Sequence, residues 1–408
     1  VNTTPRITTA RRRAVPAVAL TALTALVLSA CGSGEDDTTS AADDAATEES
    51  AAPVTDPVND PLVATFDGGL LVLDGETLDV AAEIELDGFN RLNPAGDDRH
   101  VMVSTSAGFR VLDATTGEFS GTEFPGDTPG HVVRHADKTV LFFDGTGEVI
   151  VFDPTELADG DPEPSRTWTA EHAHHGVAVE LSNGELLTTL GDPESRIGAM
   201  VLDADGEEIA RNEDCPGVHG EAAAQDETLV VGCQDGLLIY QDGAFTKIDS
   251  PDDYGRIGNQ AGSDNSPVVL GDYKSDPDAE LERPERVALV DTATGELNLV
   301  DLGTSYTFRS LGRGPAGEAL VLGTDGALHV IDPEAGEVTD SIAVIDSWEE
   351  PLDWQQPRPA LFVRGGTAYV SAPATDELHA VDLASGEITA SVTLPSAPNE
   401  LTGVVAGH

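Results

Sequence analysis

Residues 330–337 read VIDPEAGE: two apolar residues run into Asp332, and Gly336 and Glu337 follow a short gap. The phrase returns as VLDGE at Asp74, VLDATTGE at Asp113, VFD at Asp153, VLDADGE at Asp203, VDTATGE at Asp291 and VDLASGE at Asp382. A degenerate copy, IYQDG, puts Gln241 in the Asp position. From Asp74 to Asp382 the mean spacing is about 44 residues, which suits one propeller blade of four antiparallel strands. An apolar run that ends in Asp and then Gly is how a strand enters a tight turn: Asp accepts nearby backbone N–H groups and Gly supplies positive φ. The phrase therefore marks the third strand of a blade turning into the fourth, and its Asp and Gly are structural.

Outward from these marks, the chain from residue 62 consists of short β-branched runs broken by Gly, Asp and Asn, with no long stretch of helical period. The expected fold is an all-β propeller over residues 61–408, with eight blades, or seven if the irregular stretch 271–288 is a long insertion. The first unit opens on PLVATFDG, which matches second strands elsewhere, so it lacks an inner strand. The C-terminal ELTGVVAG can supply one, closing the ring and hiding its sheet edges.

Residues 1–30 read as a signal peptide: Arg6, Arg11, Arg12 and Arg13 precede an apolar run too short for a membrane span. Leu28-Ser29-Ala30-Cys31 matches a bacterial lipobox, so Cys31 is the expected lipidation site. Residues 31–60, rich in acids and poor in anything that could enter a core, read as a disordered tether. The expected location is outside the cell, lipid-anchored to the outer face of the cytoplasmic membrane. A net charge of -53 argues against nucleic acid and anionic headgroups as partners. The remaining cysteines, Cys215 and Cys233, fit a disulfide across neighbouring strands in an oxidising setting, with a metal-binding thiol pair as the alternative.

Six of the ten histidines, His131, His135, His172, His174, His175 and His219, lie between residues 131 and 219. Aligned on the second strands, His131, His175 and His219 fall near the starts of three successive innermost strands, which line the central channel. The other blades offer Asn90, Arg309 and Pro357 in that register. The turn from second to third strand returns to the same mouth and carries Asp144, Asp235 or Asp325. Three imidazoles and one carboxylate make a normal tetrahedral set for Zn²⁺. The rings could equally hydrogen-bond carbonyls where blades converge, and an Asp-Gly hairpin needs no metal. His135 reads as a strand-end residue, His172 and His174 as loop residues, and Glu221 as an acid that could orient a ring. Arg256 and Arg309, also near inner-strand starts, could bind an anion or pair with nearby acids, and pairing is expected. Trp168, Trp348 and Trp354 read as packing between blades, with Trp354 near the channel mouth. No GxSxG nucleophile and no phosphate-binding loop occurs, so catalysis is not indicated.

The phrases AHHGVAVELSNGELLTTL, CPGVHGEAAAQDETLVVGCQDGLL and WQQPRPALFV resemble the AztD family of exported zinc metallochaperones. The resemblance covers about residues 90–395 and implies a propeller that holds Zn²⁺ at its channel and hands it to the solute-binding protein of a zinc ABC importer. It implies His131, His175 and His219 as ligands, His174 as a substitute and Asp144 as a carboxylate ligand; separately, the chain is expected to be a monomer and not an enzyme. Cys215 and Cys233 match the family's paired cysteines around CPGVHGEA, which supports the disulfide. One departure is the tether: family members can carry a His-rich segment there, and this one has none. The rival reading is a metal-free cell-surface propeller that binds a protein or wall polymer. A Ca²⁺-dependent lactonase-like enzyme is disfavoured, because calcium prefers oxygen ligands.

Overall fold

The computed structural model describes residues 56–406. The signal peptide, Cys31 and the tether as far as residue 55 lie outside the described residues. Residues 56–60 lie against the ring: Val58 is buried, and its N–H donates to the Thr115 carbonyl at 2.9 Å.

Eight antiparallel sheets of four strands succeed one another along the chain, an eight-bladed β-propeller. Blade 3 is typical, with strands Pro129–His135, Lys138–Phe143, Glu148–Phe152 and Arg166–Thr169 running from the channel outward. Blade 1 takes its innermost strand from the other end of the chain, where Leu401–Gly403 pairs with Leu62–Phe66 in the register Leu62↔Gly403. The expected closure is what the structure has. In blade 5, a short fifth strand, Gly255–Arg256, adds in parallel beside Asp235–Gln241. The irregular stretch lies within blade 6, where its residues 273–285 join strands Val268–Asp272 and Arg286–Asp291, so it lengthens one turn and removes no blade.

The repeated phrase does the structural work its residues suggest. Asp332 Oδ1 accepts from Glu334 N at 2.9 Å and Ala335 N at 3.0 Å, and Asp291 and Asp74 take the N–H groups two and three residues on in the same way. Gly336 then sits at φ +68°, left-handed backbone that costs glycine little. The degenerate copy lacks this Asp and turns on Asp242-Gly243, both at positive φ, the pattern of a two-residue hairpin. Side chains alternate along each strand, so both sheet faces bury apolar residues against neighbouring blades. One such cluster joins Leu62 and Leu71 of blade 1 to Tyr369 and Leu378 of blade 8. These interfaces fix each inner strand, and so fix what stands at the channel mouth.

Candidate metal centre

His131, His175 and His219 converge. Each offers a ring nitrogen, and these atoms all lie within 4.8 Å of one another. Ring centroids are 5.0 Å apart for His131 and His175, 5.1 Å for His175 and His219, and 5.7 Å for His131 and His219. The three come from blades 3, 4 and 5, within three residues of the start of each inner strand. Two are re-aimed by β-bulges. In blade 3 the register shifts between Pro129 and Val132, spanning His131. In blade 5 it shifts between His219 and Glu221, with Gly220 at φ +69° as the extra residue. A bulge bends its strand and turns a side chain from the sheet face toward the axis.

The partners of the rings decide what they can do. His131 Nδ1 contacts the Gly176 carbonyl at 2.8 Å, and His219 Nδ1 contacts the Gly258 carbonyl at 2.5 Å. His175 Nδ1 contacts Asp144 Oδ2 at 2.5 Å. All three partners only accept, so every Nδ1 carries the proton and donates. A neutral ring then has its lone pair on Nε2. The supports are themselves held: Asp144 Oδ1 accepts from Gly176 N at 3.2 Å, and Gly258 N donates to Asp272 at 2.6 Å. Residue 130 must be glycine for this, because a Cβ there would stand 2.1 Å from Asp144 Oδ1.

Burial first, then the charge of His175, pushes His131 down to about 4; burial, then His131, pushes His219 down to about 3. Both rings are therefore neutral near pH 7, the state that binds a metal. Tetrahedral zinc with bonds of ~2.0–2.1 Å brings its nitrogens to roughly 3.3 Å of one another. The three nitrogens thus suit three of zinc's four positions after a modest inward movement, with the fourth left to water or an incoming ligand.

No family model matches the sequence. A curated relative, the zinc chaperone AztD of Citrobacter koseri, is 26% identical over 303 residues, which make up 72% of this chain and 69% of the relative. This chain is similar to that relative. Two solved structures of Citrobacter koseri AztD, one of them apo, each superpose with a TM-score of 0.72. They are 23% and 22% identical and cover 84% and 85% of this chain, and 96% and 98% of their own. At that identity they bear on the fold alone, which they share.

The propeller places the other candidates apart from the three rings. His174 is buried against Phe142, with Nδ1 on the His172 carbonyl at 2.9 Å and Nε2 on Thr189 Oγ1 at 3.1 Å. Both its nitrogens are engaged, and it lies outside the converged set. Asp144 backs His175 rather than facing the cluster, and it occupies the orienting role expected of Glu221. Glu221 lies farther along its strand, beside a channel cavity of about 800 Å³ lined also by Arg134, Asp264 and Arg313; burial raises it to about 7 against the pull of Arg134. His135 pairs with Glu227 at 3.0 Å at the far end of its strand, as a strand-end residue would. Asp235 and Asp325 engage Lys247 and His329. The disulfide Cys215–Cys233 is formed, with Cα atoms 4.9 Å apart, and it ties the segment leading to His219 to the neighbouring strand.

Two features escaped the sequence. The carbonyls of Gly176 and Gly258 set two of the three ring orientations, and every residue has a carbonyl, so no side-chain signal marks them. Arg309 pairs with Glu400 at 2.5 Å, as expected of it, but Arg256 makes no ion pair among the described residues and instead donates to the Gly217 carbonyl at 3.2 Å.

Proposed function

We propose that this protein is a zinc chaperone that carries its cargo on His131, His175 and His219. The observation behind this reading is that all three Nδ1 atoms are tied to acceptors, leaving three Nε2 lone pairs free at one mouth. A structural histidine has no need for that common arrangement. Similarity to a protein named as a zinc chaperone supports the same cargo.

Zinc enters at the mouth and is taken by rings already in the correct tautomer, so little is lost in ordering the site. His175 is the exposed ring of the three, its side chain 45% accessible, while His131 and His219 are partly buried. Release therefore begins at His175, whose place an incoming ligand from an acceptor can take before the inner rings let go. The acceptor in this proposal is the solute-binding protein of a zinc ABC importer. Cys31, lipidated on the outer face of the cytoplasmic membrane, would keep the loaded mouth near it.

The test is metal titration of the purified chain beside His175→Ala and His219→Ala. One zinc bound at sub-micromolar concentration, weakened at least ~100-fold in both variants, is the expected result. Equal, weak binding by all three chains rejects the site and leaves a metal-free interaction propeller. Transfer is read with a candidate importer protein and a competing chelator: protein-to-protein passage outruns chelation if the chaperone reading holds.

A further inference from the structure

Beside the histidine mouth stand two arginines that the zinc site does not use. Arg196 opens the third strand of blade 4, and Arg256 lies in the short strand added to blade 5. Gly217 joins them: its N–H donates to the Arg196 carbonyl at 2.8 Å, and its carbonyl accepts from Arg256 Nη1 at 3.2 Å. The Arg256 guanidinium lies against Gly258, where a Cβ would be 2.9 Å from Nη2. That is the residue whose carbonyl holds His219.

The pair is electrically odd. The chain has 74 acidic residues and 21 Lys and Arg, yet neither arginine makes an ion pair among the described residues. Arg196 Nη1 is buried with no hydrogen-bond partner. Burial, and then the charge of Arg256, depresses the Arg196 guanidinium. Nearby acids relieve it only in part: Asp144 draws it the other way but is engaged by His175 and Gly176, and Glu213 is held by Arg211 at 3.0 Å. Glu194 and Asp214 line the same depression without reaching ion-pair distance. The repulsion between the two charges and the unmet buried N–H both raise the free energy of the pair; an oxyanion offsets the first on arrival and the second once Arg196 turns toward it.

We propose that Arg196 and Arg256 form a seat for a carboxylate at the edge of the histidine mouth, and that this carboxylate belongs to the protein that takes the zinc. The assignment rests on the zinc reading above. Guanidinium forks match a carboxylate's two oxygens, and a seat beside His219 orients an acceptor so that its own ligands meet the Nε2 side. Elsewhere the acidic surface repels a carboxylate, so the seat also fixes where docking occurs.

The experiment compares zinc transfer from the loaded full chain to two chelators of matched affinity, one carrying four carboxylates and one an uncharged polypyridyl amine. The rate ratio, carboxylate over uncharged, is the readout, since a merely structural role slows both alike. In Arg196→Gln/Arg256→Gln the ratio falls about tenfold. In Arg110→Gln, where the arginine is paired with Glu123 in blade 2, it stays at the wild-type value. If the double variant does not fold, Arg256→Gln alone is read in the same way. A fall of less than about threefold overturns the seat and leaves the zinc site standing. A wild-type chain that holds no zinc overturns both.

Discussion

The channel mouth has two halves built at the same place in the repeat, and they meet opposite fates. In blades 3 to 5 the inner strands begin with His131, His175 and His219, and each ring turns one satisfied nitrogen outward and one free nitrogen inward. Toward blades 7, 8 and 1 the mouth carries Arg309, Arg358 and Glu400. Arg309 meets Glu400 at 2.5 Å, Arg358 meets Glu350 at 2.6 Å, and Arg91 reaches Glu400 at 3.8 Å. One half has closed on itself; the other has kept donors in hand. A repeat fixes where a side chain stands, and the neighbouring blade decides whether it is spent on structure or left for a ligand.

The largest effect that sharpens this contrast is expected in the closed half. Arg309 and Glu400 have side chains only 6% and 9% exposed, so Arg309→Met strands a buried carboxylate at a cost of about 3–5 kcal/mol. Chemical denaturation measures it, and zinc affinity should not change. If affinity fell with stability, the two halves would not be independent.

Next comes the support of the open half. Asp144→Ala removes the acceptor of the His175 Nδ1 proton, frees that ring to rotate, and weakens zinc binding ~10–100-fold. Competition against a chelator measures the loss. An unchanged affinity would mean that His175 needs no orientation, or is no ligand.

The smallest effect is the pH dependence of the metal-free fold. His131 and His219 are pushed down to about 4 and about 3, below the 6.5 of a free histidine. The unfolded chain therefore binds protons first as pH falls, and folding loses stability from about pH 6.5 downward. Between pH 6.5 and 5.5 each ring costs at most about 1 kcal/mol, since both keep some contact with water. Denaturation midpoints across that interval should converge for His219→Ala and wild type as the pH falls. A parallel decline would place the pH dependence elsewhere.

Much of the ring could be read in advance because its determinants are local. Asp332 takes N–H groups two and three residues on, and Gly336 supplies the left-handed turn, so one phrase signals one hairpin wherever it recurs. The missing inner strand was legible for a similar reason: ELTGVVAG had the pattern of the strand that PLVATFDG lacked, and it pairs there. The insertion in blade 6 left the count unchanged because it extends a turn and pairs with nothing that a blade needs.

The site divides differently. Sequence register alone put His131, His175 and His219 at one mouth, because the blade period places equivalent residues at equivalent points of the ring. It could not assign their partners. Gly176, Asp144 and Gly258 stand 45, 31 and 39 residues from the rings they hold, and two of the three act through backbone carbonyls common to all residues. Nor could it tell that Arg309 would find Glu400, 91 residues away, while Arg256 would not find an acid. The sequence by itself determined the ring, its closure and the three histidines, since periodic patterns and strand-to-turn signals act over a few residues. Only the tertiary structure decided the tautomer of each ring, the role of Asp144 and which arginines stay unpaired, since each depends on the approach of a group from another blade or a distant part of the chain.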